Sequence, residues 1–150
     1  MIFKGVNKQT VEFKITNYQF PEITNCKYDS NWLLVDVKVE NDYENWQTVA
    51  PFLLVQELRE ITEWFEKLLN NIKITTDSLQ FIEPNLKFKL IKEEPCLKTV
   101  RLIFDNSSVP QRINKELEYY VDCEMNPREL KKVVEELKNV LLAFPVRAMS

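Results

Sequence analysis

The chain has 150 residues, 45% hydrophobic and 11% aromatic, with 29% charged and a formal net charge of −3. That length suits one domain with a sizeable core, and the apolar content is too high for a disordered chain. Histidine is absent and Gly5 is the single glycine, which excludes Ser-His-Asp and Cys-His catalysis, most zinc sites, and the glycine-rich Walker and Rossmann loops that bring backbone N–H groups to a phosphate.

The N-terminal stretch MIFKGVNKQT has no apolar h-region and no small-residue cleavage site. No apolar run approaches the roughly 18 residues that span a bilayer, so a cytoplasmic chain without a membrane partner is expected. Ile2 and Phe3 open a strand, with a turn near Asn7-Lys8. Val11, Phe13 and Ile15 alternate with Thr10, Glu12 and Lys14, the period of a half-buried strand. Pro21 ends that strand, and residues 22–30 read as a loop. Leu33, Val35, Val37 and Val39 alternate with Leu34, Asp36, Lys38 and Glu40, the clearest strand in the chain. Asn41-Asp42 signals a turn, and residues 43–49 return as the second strand of a hairpin.

After Pro51 the period changes. Leu54, Leu58, Ile61, Phe65 and Leu68 recur at helical spacing, predicting an amphipathic helix over roughly Leu54–Asn70, ended by Asn70-Asn71. Strands resume around Leu79 and Phe81, Leu86 to Leu90, and Val100 to Phe104. A loop over 105–111 containing Pro110 precedes another strand from Leu117 to Cys123. Asn126 as cap, Pro127 in the first turn and Glu129 three residues after the cap start a closing helix that Pro145 stops. Hairpin-length connections and segregated helices predict a single α+β domain over residues 1–150: antiparallel β-sheet with an inserted central helix and a C-terminal amphipathic helix.

Cys26, Cys96 and Cys123 are odd in number and widely spaced, so they read as reduced thiols packed as small buried hydrophobes rather than a disulfide framework or a metal site. No catalytic, cofactor-binding or metal-ligating residue stands out, because no nucleophile has an imidazole base to activate it. The pairs Glu93-Glu94, Glu135-Glu136 and Asp42/Glu44 are the only candidates for carboxylate-dependent hydrolysis, by proximity alone. Lys87, Lys89, Lys92, Lys98 and Arg101 form a basic stripe with few aromatics to stack bases, which reads as a solvated sheet face and not as a nucleic-acid site.

Charge is the most informative feature. From Asp29 to Glu66 nine acids face only Lys38 and Arg59, a net of −7 that leaves +4 for the rest of the chain. Asp36, Glu40, Asp42, Tyr43, Glu44 and Trp46 gather around the first hairpin, and Glu57, Glu60 and Glu63 follow on the helix. Acids around an aromatic anchor suit recognition of a basic protein surface. The alternative is that the aromatics pack inward and the acids are ordinary solvated surface.

Several local patterns run through the chain in order: Tyr18-Gln19-Phe20-Pro21, Tyr28-Asp29-Ser30-Asn31-Trp32-Leu33, Trp46, Pro51, a helix carrying Glu57 and Trp64, Phe81-Ile82-Glu83-Pro84-Asn85-Leu86-Lys87-Phe88, and Phe144-Pro145-Val146-Arg147. In order and spacing they resemble the WapI-type immunity proteins of bacteria. The resemblance implies a cytoplasmic antidote that binds and neutralises the C-terminal domain of a contact-dependent or polymorphic toxin, without catalysis or cofactor; the name-giving toxin is similar to tRNA-cleaving nucleases. It carries over no functional residue. Trp32, Phe20 and Phe88 read as core, and Pro21, Pro84 and Pro145 as constraints on chain direction. Two other readings stand beside it: an interaction module with an unrelated host partner, and a carboxylate-dependent hydrolase.

Overall fold

The computed structural model describes residues 1–42, 45–105 and 119–148; Tyr43 and Glu44, the expected loop through Pro110 and the expected strand start at Leu117 lie outside them. Two four-stranded antiparallel sheets and two helices make up the α+β fold. The first sheet runs β1 (Ile2–Lys4), β2 (Thr10–Tyr18), β3 (Trp32–Glu40), β4 (Asn45–Leu54), in spatial as in chain order. Lys8 takes the left-handed conformation, φ 63°, at the turn between β1 and β2. The alternation of β3 is realised as read: Leu33, Val35, Val37 and Val39 are buried in the core.

β4 runs further than the expected returning strand over residues 43–49. The strand continues through Pro51 to Leu54, because β4 lies at the sheet edge and bulges there: Leu33 faces Leu53, whereas Val35 faces Ala50. An edge position with a bulge removes the need for the proline's missing N–H. The chain then passes without a loop into α1 (Val55–Leu69). Leu54, the cap residue, has no side-chain oxygen, but Glu57 reaches back to accept the Leu54 N–H at 2.9 Å. At the other end Asn71, φ 54°, closes the helix: Ile72 N–H donates to Lys67 O and Asn71 N–H to Leu68 O, a Schellman stop.

The second sheet contains β5 (Ser78–Leu79), β6 (Leu86–Glu94), β7 (Leu97–Phe104) and β8 (Tyr119–Met125), again in chain order. The closing helix α2 (Pro127–Ala143) starts on the expected cap, with Asn126 Oδ1 accepting the Glu129 N–H at 2.9 Å and Glu129 returning to the Asn126 N–H. Leu130, Val133, Val134 and Leu137 are its buried stripe, and α2 packs on α1. Among the described residues no helix is long and apolar enough to cross a membrane.

One core joins all of these elements. Phe13 of the first sheet meets Phe88 and Phe104 of the second at centroid distances of 6.3 and 6.5 Å, and Phe65 of α1 stands edge-on to Phe88 at 5.7 Å. Phe88 is core, as expected, but Phe20 and Trp32 are only partly buried. The sheets also meet at an edge, where Val6 N–H donates to Asp122 O of β8 at 2.8 Å.

Candidate functional site

The acids that are contiguous in sequence separate in space. Glu40 and Asp42 sit at the hairpin end of β3, and Glu57, Glu60 and Glu63 follow the far end of β4, because Trp32 pairs with Leu54 at one end and Glu40 with Asn45 at the other. At about 3.3 Å per residue, those ends are roughly 26 Å apart.

Along the described part of the hairpin, two of the acids are already engaged. Asp36 accepts from Gln47 Nε2 at 2.8 and 3.0 Å. Lys38 contacts Glu40 at 3.0 Å, and this hydrogen bond and charge raise the lysine's pKa. β2 adds Lys14, which lies opposite Asp36 in register and pairs with Glu12 at 3.6 Å. Trp46 is not an exposed anchor: it is 6% exposed, edge-on to Phe104 at 5.4 Å and to Tyr119 at 5.9 Å. Register puts it opposite Val39, on the core face. The period-two run Trp46, Thr48, Ala50 could have shown this, whereas Val49, an apolar residue 55% exposed, obscures it.

The α1 end is different. Glu57 is buried and structural, its Oε1 taking the Leu54 N–H and its Oε2 the Ile82 N–H at 2.8 Å. Burial raises its carboxyl pKa, the two backbone donors oppose the rise, and the charges of Glu60 and Glu83 add to it. Glu60 and Glu63 are exposed, and among the described residues no cation lies within ion-pair distance of either. Whereas Glu63 lines a separate cleft with Lys67, Glu60 lines one of about 440 Å³ between α1, the loop before β3 and the segment before β6. Tyr28 and Ile82, 51% and 60% exposed, stand among its lining residues. Lys27, the cation of the lining, leans over the Tyr28 ring at 5.6 Å. Gln56 also lines it, and its side-chain oxygen is closed off from solvent with no hydrogen-bond partner among the described residues. Tyr28, Gln56, Ile82 and Glu83 were not singled out from charge; their only sequence signal is that three of them lie in the Tyr28–Leu33 and Phe81–Phe88 patterns.

Those patterns have a structural explanation. Asn31 and Ser30 are fully buried. The Asn31 side chain accepts the Arg147 N–H at 2.7 Å and donates to Arg147 O and Lys27 O. The Arg147 guanidinium lies over the Tyr18 ring at 3.6 Å and donates to Ser30 O, Pro21 O and Phe20 O. Tyr18 Oη closes the arrangement on Pro145 O at 2.6 Å. Three of the scattered patterns thus form one clamp, which holds the loop that carries Lys27 and Tyr28.

Other expectations are corrected. Lys98 is not on a solvated face but 1% exposed, its ammonium donating to Asn71 Oδ1, Glu94 O and Pro95 O. Arg101 is bidentate to Asp122 and lies over Tyr120. Cys26 and Cys96 are exposed, and only Cys123 is buried, with its thiol pKa pushed up to about 12 by burial. Glu94 pairs with Lys92, and Glu136 with the N-terminal ammonium.

A family model described as "Immunity protein WapI-like family" matches residues 1–145. No curated protein matches the chain significantly. Among solved structures, a plant transcriptional regulator, PBF-2, is 15% identical, with 95% of this chain and 79% of that one covered at a TM-score of 0.42. WHY3 from Arabidopsis thaliana is 12% identical, with 91% and 80% covered at 0.39. At these scores neither bears on what the chain does.

Proposed function

The chain belongs to the WapI-like immunity protein family, and from that premise we propose that it binds a cognate toxin domain in the cytoplasm and neutralises it by occlusion, without catalysis or cofactor, as one domain over residues 1–150. The observation that supports a particular surface is the contrast between the two groups of acids. Asp36 and Glu40 are already satisfied by Gln47 and Lys38, whereas Glu60, exposed and without an ion-pair partner among the described residues, lines a cleft bearing Tyr28 and Ile82, and Glu63 follows one turn on. Exposed aromatic and aliphatic groups ringed by uncompensated charge suit a basic protein partner, with charge steering the encounter and apolar contact holding the complex. We place Glu60 and Glu63 at the centre of the interface, with Asp42 and the other hairpin acids at most at its rim.

The experiment is co-expression with the toxic C-terminal domain encoded immediately upstream of the gene. Restored growth, with a complex that co-elutes on size exclusion, is the expected result. Growth that stays arrested, with no complex, would transfer the chain to an unrelated partner.

A further inference from the structure

The β1 edge of the first sheet borders a groove that shares no lining residue with the cleft at Glu60. In an antiparallel pair, residues that exchange backbone bonds alternate with residues whose N–H and C=O point away from the partner strand. Met1 and Phe13 exchange both bonds at 2.9 Å, and Gly5 N–H donates to Gln9 O at 2.8 Å. The register of β1 on β2 therefore turns the backbone groups of Ile2, Lys4 and Val6 outward. Val6 N–H finds Asp122 O of β8, but no described residue bonds the outward backbone groups of Ile2 or Lys4. There a groove of about 230 Å³ opens between β1, the end of β8 and α2. Phe3, Met125 and Val133 line it from the core, and the half-exposed Ile2 lines its edge. Its uncompensated charge is basic. Glu129 is engaged by the Asn126 N–H and Glu136 by the Met1 ammonium, whereas Lys4 and Lys132 are exposed and without an ion pair among the described residues.

We propose that an extended, acidic segment of a protein partner adds to β1 in this groove as a further strand. Its backbone bonds the outward N–H and C=O groups of Ile2 and Lys4. Alternate apolar side chains meet Met125 and Val133, and carboxylates on the opposite face meet Lys4. An open strand edge selects an extended chain over a helix, because only an extended chain presents free backbone donors and acceptors at the matching spacing. A second copy of this chain suits the edge less well, because pairing β1 with β1 brings Lys4 of each copy to the same seam, like charge against like.

The test uses the intact, isotope-labelled protein titrated with a blocked hexapeptide that alternates valine and glutamate, followed through amide resonances and amide hydrogen exchange. Two controls are the same peptide with alternate amides N-methylated, which cannot donate to a strand edge, and its valine–lysine counterpart. The expected result is saturable shifts at Ile2, Lys4 and Met125, with exchange slowed at Ile2 and Lys4. Binding of the methylated peptide should be about tenfold weaker. Binding of the glutamate peptide to Lys4→Gln with Lys132→Gln should be about threefold weaker. Both lysines are exposed, and a spectrum otherwise unchanged shows that the variant is folded. Equal binding of the methylated or the lysine peptide, or shifts that leave Ile2 and Lys4 unmoved, would overturn the proposal. So would a dimer on sedimentation with Ile2 and Lys4 already protected before peptide is added, which would give the edge to a second copy of this chain.

Discussion

Arg147 and Glu57 each tie together segments far apart in the chain. The Arg147 side chain donates to three backbone carbonyls of the 20–30 loop and stacks on Tyr18. Arg147→Ala leaves those carbonyls without their donor and is expected to lower stability by about 2–3 kcal/mol, with Arg147→Lys recovering less than half, read as the midpoint of urea unfolding. Glu57 makes a different prediction, because its pKa is raised from the ordinary 4.5. A carboxyl raised in the folded state holds its proton more tightly there than in the unfolded chain. Its favourable contribution is therefore complete below the unfolded value and is lost as pH rises through the folded one. Compared with Glu57→Gln, which does not titrate, the wild-type chain should gain relative stability between about pH 7 and about pH 4. A difference that shrinks on acidification would show that the two backbone donors outweigh burial.

Gly5 is the element-scale counterpart of those ties. A Cβ there would meet Val121 Cγ1 at 2.6 Å and Gln9 Oε1 at 2.7 Å. Val121 is buried in β8 and has no room to retreat. The lone glycine therefore lets the end of β1 approach the second sheet closely enough for the Val6–Asp122 hydrogen bond. Gly5→Ala should cost about 1–3 kcal/mol by forcing the sheets apart, and hydrogen exchange at Val6 should accelerate. Unchanged stability and exchange would mean that the seam tolerates a methyl group. The bulged edge strand β4 and the Schellman stop of α1 work similarly: each turns the chain where a residue of unusual backbone chemistry, Pro51 or Asn71, permits it.

For the whole molecule, the arrangement of charge matters more than its sum. The segment net of −7 divides between a hairpin end interleaved with Lys14 and Lys38 and an α1 end where Glu60 and Glu63 have no ion-pair partner among the described residues. Screening acts most on exposed, uncompensated charge. Glu60→Gln with Glu63→Gln should therefore slow association with the toxin domain and flatten its dependence on salt, whereas Asp36→Asn, Glu40→Gln and Asp42→Asn together should change the rate by less than about twofold. Stopped-flow mixing over a range of ionic strength decides this, and the reverse ordering would move the interface to the hairpin.

The sequence by itself determined the α+β class, the two helices, the alternation of β3 and β7 and the cap of α2, because these depend on periods and neighbours within a few residues. It also held a signal for Lys98, in phase with Val100 and Leu102 and so inward-facing, which its charge concealed. Phase alone says nothing of Asn71 and two carbonyls waiting to accept the ammonium. Only the tertiary structure decided that Glu57 caps a helix rather than meeting solvent, and that Tyr28, Gln56 and Ile82 converge on one cleft. The physical reason is separation: the cleft is assembled from three segments, and the clamp behind it joins residues more than a hundred positions apart. Contacts of that span depend on how the sheets and helices pack, which no local pattern of residues encodes.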